Sequence, residues 1–167
     1  PRDAVEAAAA GGLCGLFAPP EAGGQGLTFA EGMGVFEELG RADARYAFAP
    51  PMHNAVTTVL TRFASAEVRE RWAGPLTSGR ALGGFSLTEP HAGSDAAAIT
   101  TRAEPDGSGG YLLSGRKAWV SLAGEVDVFA LVCRTGDGPG YGDVMVVALA
   151  ADQPGVRVAR LYDKMAS

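Results

Sequence analysis

In the first half of the chain, apolar side chains recur at helical spacing. Phe29, Met33, Phe36 and Leu39 line one face behind Thr28, and Glu31 stands three residues after that threonine. Threonine followed by glutamate at this spacing is a capping box, so a helix is expected over 28–40, with Gly40 as its stop. After Pro50-Pro51, the residues Val56, Val59, Leu60 and Phe63 form a second stripe. Ser65 caps a short third helix carrying Val68 and Trp72, which Gly74-Pro75 is expected to end. Ahead of these, residues 1–26 read as an Ala-rich stretch, then Gly11-Gly12, then a loop with Pro19-Pro20 and Gly23-Gly24.

Beyond Gly83 the period changes. Residues 99–103, 111–122, 126–133 and 144–150 are rich in β-branched, aromatic and aliphatic side chains, and Gly- and Pro-containing turns separate them. The runs Val128 to Val132 and Val144 to Leu149 are apolar on both alternations, as strands buried on both faces would be. The expected class is α+β, with an all-α domain over 1–82 followed by an antiparallel β-domain of hairpins over 83–167.

Composition narrows the task. Of 167 residues, 47% are apolar, enough to bury a core, while 14 basic against 19 acidic residues leave a net charge of −5 with no basic cluster. That balance argues against nucleic acid or an anionic membrane as the main partner. No stretch is apolar for long enough to span a bilayer, and the start lacks the features of a secretory signal, so a cytoplasmic protein is expected. Cys14 and Cys133 read as reduced packing residues.

Several familiar motifs fail. Gly24-Gln25-Gly26 opens like a dinucleotide fingerprint, but Phe29 stands where the third glycine belongs and no strand precedes it. Gly110 and Gly115 have phosphate-loop spacing, yet Arg116 takes the lysine's place. His53 and His91 lack a second ligand at metal spacing, and Ser94-Asp95 lacks the glycines of a nucleophile elbow.

One segment remains, Phe85-Ser86-Leu87-Thr88-Glu89-Pro90-His91-Ala92-Gly93-Ser94-Asp95, where a strand runs into a turn. Pro90 withholds a donor, Gly93 removes bulk so that a flat heteroaromatic ring could approach the main chain, and Ser94 offers a hydroxyl to a phosphate or pantetheine group. Taken alone, the segment reads equally as an ordinary loop, and Trp119 further on reads equally as a core residue.

Taken together with Gly115-Arg116-Lys117-Ala118-Trp119-Val120-Ser121, expected on a strand, the chain closely resembles the acyl-CoA dehydrogenase family. The matching segments, in order, begin with Gly15-Leu16-Phe17 and the run from Pro20 to Leu27. Glu37-Glu38-Leu39-Gly40-Arg41-Ala42-Asp43 follows, then the Thr-Glu-Pro-x-Ala-Gly-Ser-Asp turn, Gly-x-Lys-x-Trp and Asp163-Lys164-Met165. The resemblance implies FAD as cofactor. Backbone at Phe85, Leu87 and Thr88 would face the pyrimidine edge of the isoalloxazine, and Gly93 and Ser94 would lie at the cofactor, with Ser94 also near the thioester. Trp119 and Val120 would lie against the ring system, and Ser121 would donate near flavin N5. Ser121 stands where Thr is usual, and Leu122 where Asn is common.

The family's reaction is α,β-dehydrogenation of an acyl thioester, on CoA or an acyl-carrier protein, to the 2-enoyl thioester. Its catalytic base lies in a carboxyl-terminal helical bundle that is expected to be absent from this chain. Glu89 belongs to the turn, and Glu37, Glu38 and Glu67 read as solvated helix faces, so no catalytic residue is nominated. The first domain is expected to be incomplete at its start and the second at its end, leaving apolar patches that the remainder of the enzyme, as another chain or segment, would cover. The same resemblance implies a homo-oligomer, dimer or tetramer, and an electron-transfer flavoprotein or other acceptor. A flavin monooxygenase or oxidase of the same fold, or a non-catalytic partner subunit, are the alternative readings.

Overall fold

Thr28 starts its helix in the expected way: its hydroxyl accepts from Glu31 N–H at 3.3 Å while the Glu31 carboxylate accepts from Thr28 N–H at 2.8 Å. In the computed structural model, which describes residues 2–43, 48–138 and 140–162, this helix is the second of four. They are α1 (Arg2–Ala10), α2 (Phe29–Ala42), α3 (Ala49–Arg62) and α4 (Ala66–Thr77). Gly40 does not stop α2, which runs on until Asp43 N–H closes it on Leu39 O. Likewise α4 passes through Gly74-Pro75, because a proline in the last turn leaves most of the helix intact and the Thr77 and Ser78 hydroxyls cap the carbonyls of Ala73 and Gly74.

The apolar stripe of α2 is covered only in part. Phe17 packs between Phe29 and Phe36, but Phe29 remains 71% and Met33 45% exposed. In contrast, α3 buries His53, Asn54, Thr57 and Thr61 along with Val56 and Leu60. Each buried polar group there is satisfied. Asn54 accepts from Leu16 N–H and donates to Leu13 O and Pro50 O, tying the first loop to the helix. His53 accepts from Gly83 N–H at Nδ1 and donates from Nε2 to Leu76 O, so its ring is neutral, and burial pushes its pKa down. His53 is fully buried as the joint between α3, α4 and the first strand.

Five strands follow: β1 (Gly83–Ser86), β2 (Arg102–Pro105), β3 (Tyr111–Ser114), β4 (Val128–Arg134) and β5 (Val144–Ala150). The α+β class holds, but the sheet is mixed rather than antiparallel throughout. β4 pairs antiparallel with β5 along its whole length and parallel with β1, from Gly83 opposite Val128 to Ser86 opposite Leu131. At its far end β4 also meets β2 in parallel, where Arg102 stands opposite Arg134, and β2 and β3 form an antiparallel hairpin. The physical reason is the long connection from β1 through the turn and the hairpin, which brings β4 back in the same direction as β1. β4 is buried at every position, as its apolar pattern predicts. β5 is not, since it pairs only with β4 among the described residues and Val146 is 43% exposed.

The helices pack on the sheet through Val56, Leu60 and Leu76 against Val128 and Ala130, and through Ala4, Val5 and Ala8 against Leu82, Val126 and Phe129. Arg2 anchors α1 to the entry of β4 by an ion pair to Asp127 at 2.7 Å. Among the described residues no helix is long and apolar enough to cross a membrane.

Candidate functional site

At the end of β1 the chain turns at Pro90-His91, with Glu89 and Ala92 exchanging backbone hydrogen bonds of 2.8 and 3.2 Å. The Glu89 side chain points inward. Its carboxylate accepts from Thr100 N–H and hydroxyl, each at 2.8 Å, from Thr101 N–H at 2.9 Å and hydroxyl at 2.5 Å, and from Lys117 Nζ at 2.8 Å. The Glu89 and Lys117 side chains are 1% and 8% exposed, so this is a buried ion pair. Burial alone would raise the Glu89 pKa, but the hydrogen bonds from Lys117, Thr101 and Thr100 outweigh it and hold the carboxyl well below the usual carboxylate range.

Lys117 does more than pair with Glu89. Its ammonium also donates to Leu87 O at 2.8 Å, and the next residue, Ala118, donates its N–H to Thr88 O at 2.8 Å. These two bonds join residues 115–121 to the turn. The segment is not the strand that its pattern predicts: β3 ends at Ser114 and an irregular loop follows. Gly115 adopts φ +155° against Thr101, where a Cβ would come within 2.8 Å of the Thr101 Cα, and Trp119 and Leu122 take φ +57° and +62°. Extended alternation cannot continue through those angles.

Trp119 is not a core residue. Its indole is 68% exposed and stacks on the Tyr162 ring, with centroids 4.5 Å apart and planes 17° apart. The Arg160 guanidinium lies 5.2 Å from the same tyrosine ring.

Of the residues singled out in the sequence, the structure brings Leu87 and Thr88 together with the loop of Trp119. Phe85 pairs with Ala130 inside the sheet and its side chain packs into hydrophobic clusters, as does that of Leu87 beside Ala92, Ile99 and Val132. Val120 packs toward the cluster of Ala4 and Val5. All three are half-buried. Gly93 and Ser94 are exposed in the turn, and Ser121 is half-buried. Glu89 and Lys117 stand in the matching segments without an assigned role, and Thr100 and Thr101 are not named at all, yet these four hold the arrangement together. One signal was present: of 14 basic residues only Lys117 and Lys164 are lysines, so a lysine two positions before the tryptophan departs from the arginine habit of the chain.

The donors left over suit a flat, polar-edged ring. Among the described residues Thr88 N–H is engaged by no acceptor, and the hydroxyls of Thr88, Ser94 and Ser121 have no partner. Tyr162 stacks on one face of the Trp119 indole, which is otherwise largely exposed. Gly93 has ordinary φ, and a Cβ there would meet only Thr88 Cγ2, at 3.7 Å, so packing within the chain does not require the glycine. A ring with carbonyl and imide groups on one edge, such as a flavin, matches this set of donors and faces.

Comparison with known proteins gives the same direction. The chain matches the family model of the acyl-CoA dehydrogenase N-terminal domain over residues 1–80 and that of the middle domain over 84–167. It is 33% identical over 165 residues to the mitochondrial isobutyryl-CoA dehydrogenase of Bos taurus, covering 99% of this chain and 39% of that protein. It is 36% identical over 160 residues to the L-prolyl-[peptidyl-carrier protein] dehydrogenase of Pseudomonas fluorescens, covering 92% of this chain and 41% of that one. Among solved structures, the FAD complex of PigA superposes with a TM-score of 0.91 at 28% identity over 98% of this chain and 43% of its own. A glutaryl-CoA dehydrogenase from Mycobacterium smegmatis in complex with FADH2 does so with a TM-score of 0.87 at 26% identity, over 99% and 41%. The chain thus spans about two-fifths of the length of these relatives.

Proposed function

The chain belongs to the acyl-CoA dehydrogenase family, and we propose that it holds FAD for the α,β-dehydrogenation of an acyl thioester to its 2-enoyl product. Residues 1–82 would form the helical part and 83–167 the flavin-binding part. The observation that carries this reading is the bond from Ala118 N–H to Thr88 O, which joins the loop of the exposed Trp119 to a strand end whose Thr88 N–H has no acceptor among the described residues. When bound, FAD would supply the acceptor for the β-hydrogen and its electron pair, while the α-hydrogen leaves as a proton to a base.

The residues of this chain would act by binding and orientation. Thr88 N–H would donate to the ring edge on which negative charge gathers, and Trp119 would cover the ring face. Ser121 would donate near the reacting edge, and Ser94 would meet the cofactor or the thioester arm. Glu89 is unsuited to proton removal, because five hydrogen bonds make its carboxylate a weak base and burial keeps it out of reach. As membership of the family implies, the base would be a carboxylate of its C-terminal helical bundle rather than one of the residues described above. The carrier is left as a thioester in general, since the similar proteins include both CoA and carrier-protein dehydrogenases. The uncovered stripe of α2 would be buried against further helices of the assembled enzyme.

Anaerobic addition of acyl thioesters to the FAD-loaded polypeptide carrying these residues tests the proposal. Bleaching of the flavin with release of 2-enoyl thioester is expected. A flavin that stays oxidised with every thioester, and is turned over only with oxygen and a different substrate, would contradict it.

A further inference from the structure

We propose that Lys117 is a positioning residue that tunes the flavin electrostatically, by polarising the peptide group whose N–H is offered to the ring. The inference rests on the placement of FAD proposed above. The carbonyl of Leu87 and the N–H of Thr88 belong to one planar peptide unit. Lys117 Nζ donates to that carbonyl at 2.8 Å, and Thr88 N–H at the other end of the unit has no acceptor among the described residues. A cation hydrogen-bonded to the oxygen draws charge through the amide and makes the N–H a stronger donor. The effect is large where water is excluded, and the lysine side chain is 8% exposed.

Glu89 has the complementary role. Its carboxylate, fixed by Thr100 and Thr101, holds the ammonium in place and balances its charge. Through its bond to Leu87 O, the charge of Lys117 reaches the surface where the ring would lie. Reduction of the ring adds electrons and negative charge, so a stronger donor and a nearby cation favour the reduced form over the oxidised one.

The reduction potential of bound FAD, measured by anaerobic dye equilibration on the complete polypeptide, is the readout. Lys117→Met should weaken binding of reduced relative to oxidised flavin about tenfold, a fall of ~30 mV for a two-electron couple. Glu89→Gln keeps the cation and removes its counter-charge, so it should move the potential upward. A structural role alone would not give opposite signs. Should Lys117→Met fail to fold because the Glu89 carboxylate is left unpaired, the double variant with Glu89→Gln removes both charges and should still lie below the wild-type potential. Potentials unchanged from wild type, or moved in the same direction by both single variants, would overturn the inference. Absence of FAD from the wild-type protein would overturn the flavin reading itself, and the inference with it.

Discussion

The buried clamp at Glu89 and the open face at Thr88 and Trp119 touch each other, yet they treat polar groups in opposite ways. In the clamp, one carboxylate collects five hydrogen bonds from Thr100, Thr101 and Lys117. On the face, one residue before that glutamate, the N–H of Thr88 has no acceptor among the described residues, and the indole of Trp119 is open to solvent. The saturated region fixes geometry, and the unsaturated one keeps the donors that the proposed function gives to the flavin. The contrast makes the open donors informative, because the same few residues that could have satisfied them are instead used to hold them still.

The strongest way to break the contrast is to empty the clamp. Glu89→Ala leaves Lys117 buried without a partner and both threonines without an acceptor, and should cost about 3–5 kcal/mol in denaturant unfolding. Next comes Gly115→Ala. Its Cβ would lie 2.8 Å from Thr101 Cα at φ +155°, so a loss of about 2–3 kcal/mol is expected, with the loop of Trp119 displaced and flavin retention lost.

The acid limb of the stability curve probes the same clamp. The Glu89 carboxyl is depressed in the folded state from its ordinary 4.5, so its contribution is complete above that value and is lost progressively as pH falls toward the folded pKa. Glu89→Gln should therefore flatten the decline in stability below that pH, measured by unfolding at a series of acid pH values. An equally steep decline in the variant would assign the acid sensitivity elsewhere.

The smallest effect on folding is expected on the open face. Trp119→Ala should change stability by less than about 1 kcal/mol, since the indole is 68% exposed. It should weaken FAD binding about tenfold through the lost stacking, as read by flavin titration. A large loss of stability with unchanged FAD affinity would assign the indole to packing.

Much of the fold was legible because its signals are local. The capping box at Thr28 and Glu31, the cap at Ser65 and the apolar run of β4 act over a few residues, and each appears as read. Gly40 and Gly74-Pro75 misled as stops, because hydrogen bonds and hydroxyl caps beyond them carry the helices on. The parallel pairing of β1 with β4 depends on how a long connection returns, which no local pattern encodes.

The site shows the same division. Phe85 to Asp95 stands out through Pro90 and Gly93, but residues 115–121 read as a strand, since the aliphatic and aromatic run Ala118-Trp119-Val120 after Arg116-Lys117 carries β propensity and nothing local marks Lys117 as half of a buried ion pair. Only the positions of Thr101 and Glu89, distant in sequence, require Gly115 to bend and Lys117 to turn inward.

Hydrogen exchange at two amides tests the central claim most directly, on the complete polypeptide with and without FAD. Ala118 N–H, already bonded to Thr88 O, should be protected in both states, whereas Thr88 N–H should exchange quickly without FAD and slow markedly when it binds. Exchange at Thr88 that is unchanged by bound FAD would contradict the account.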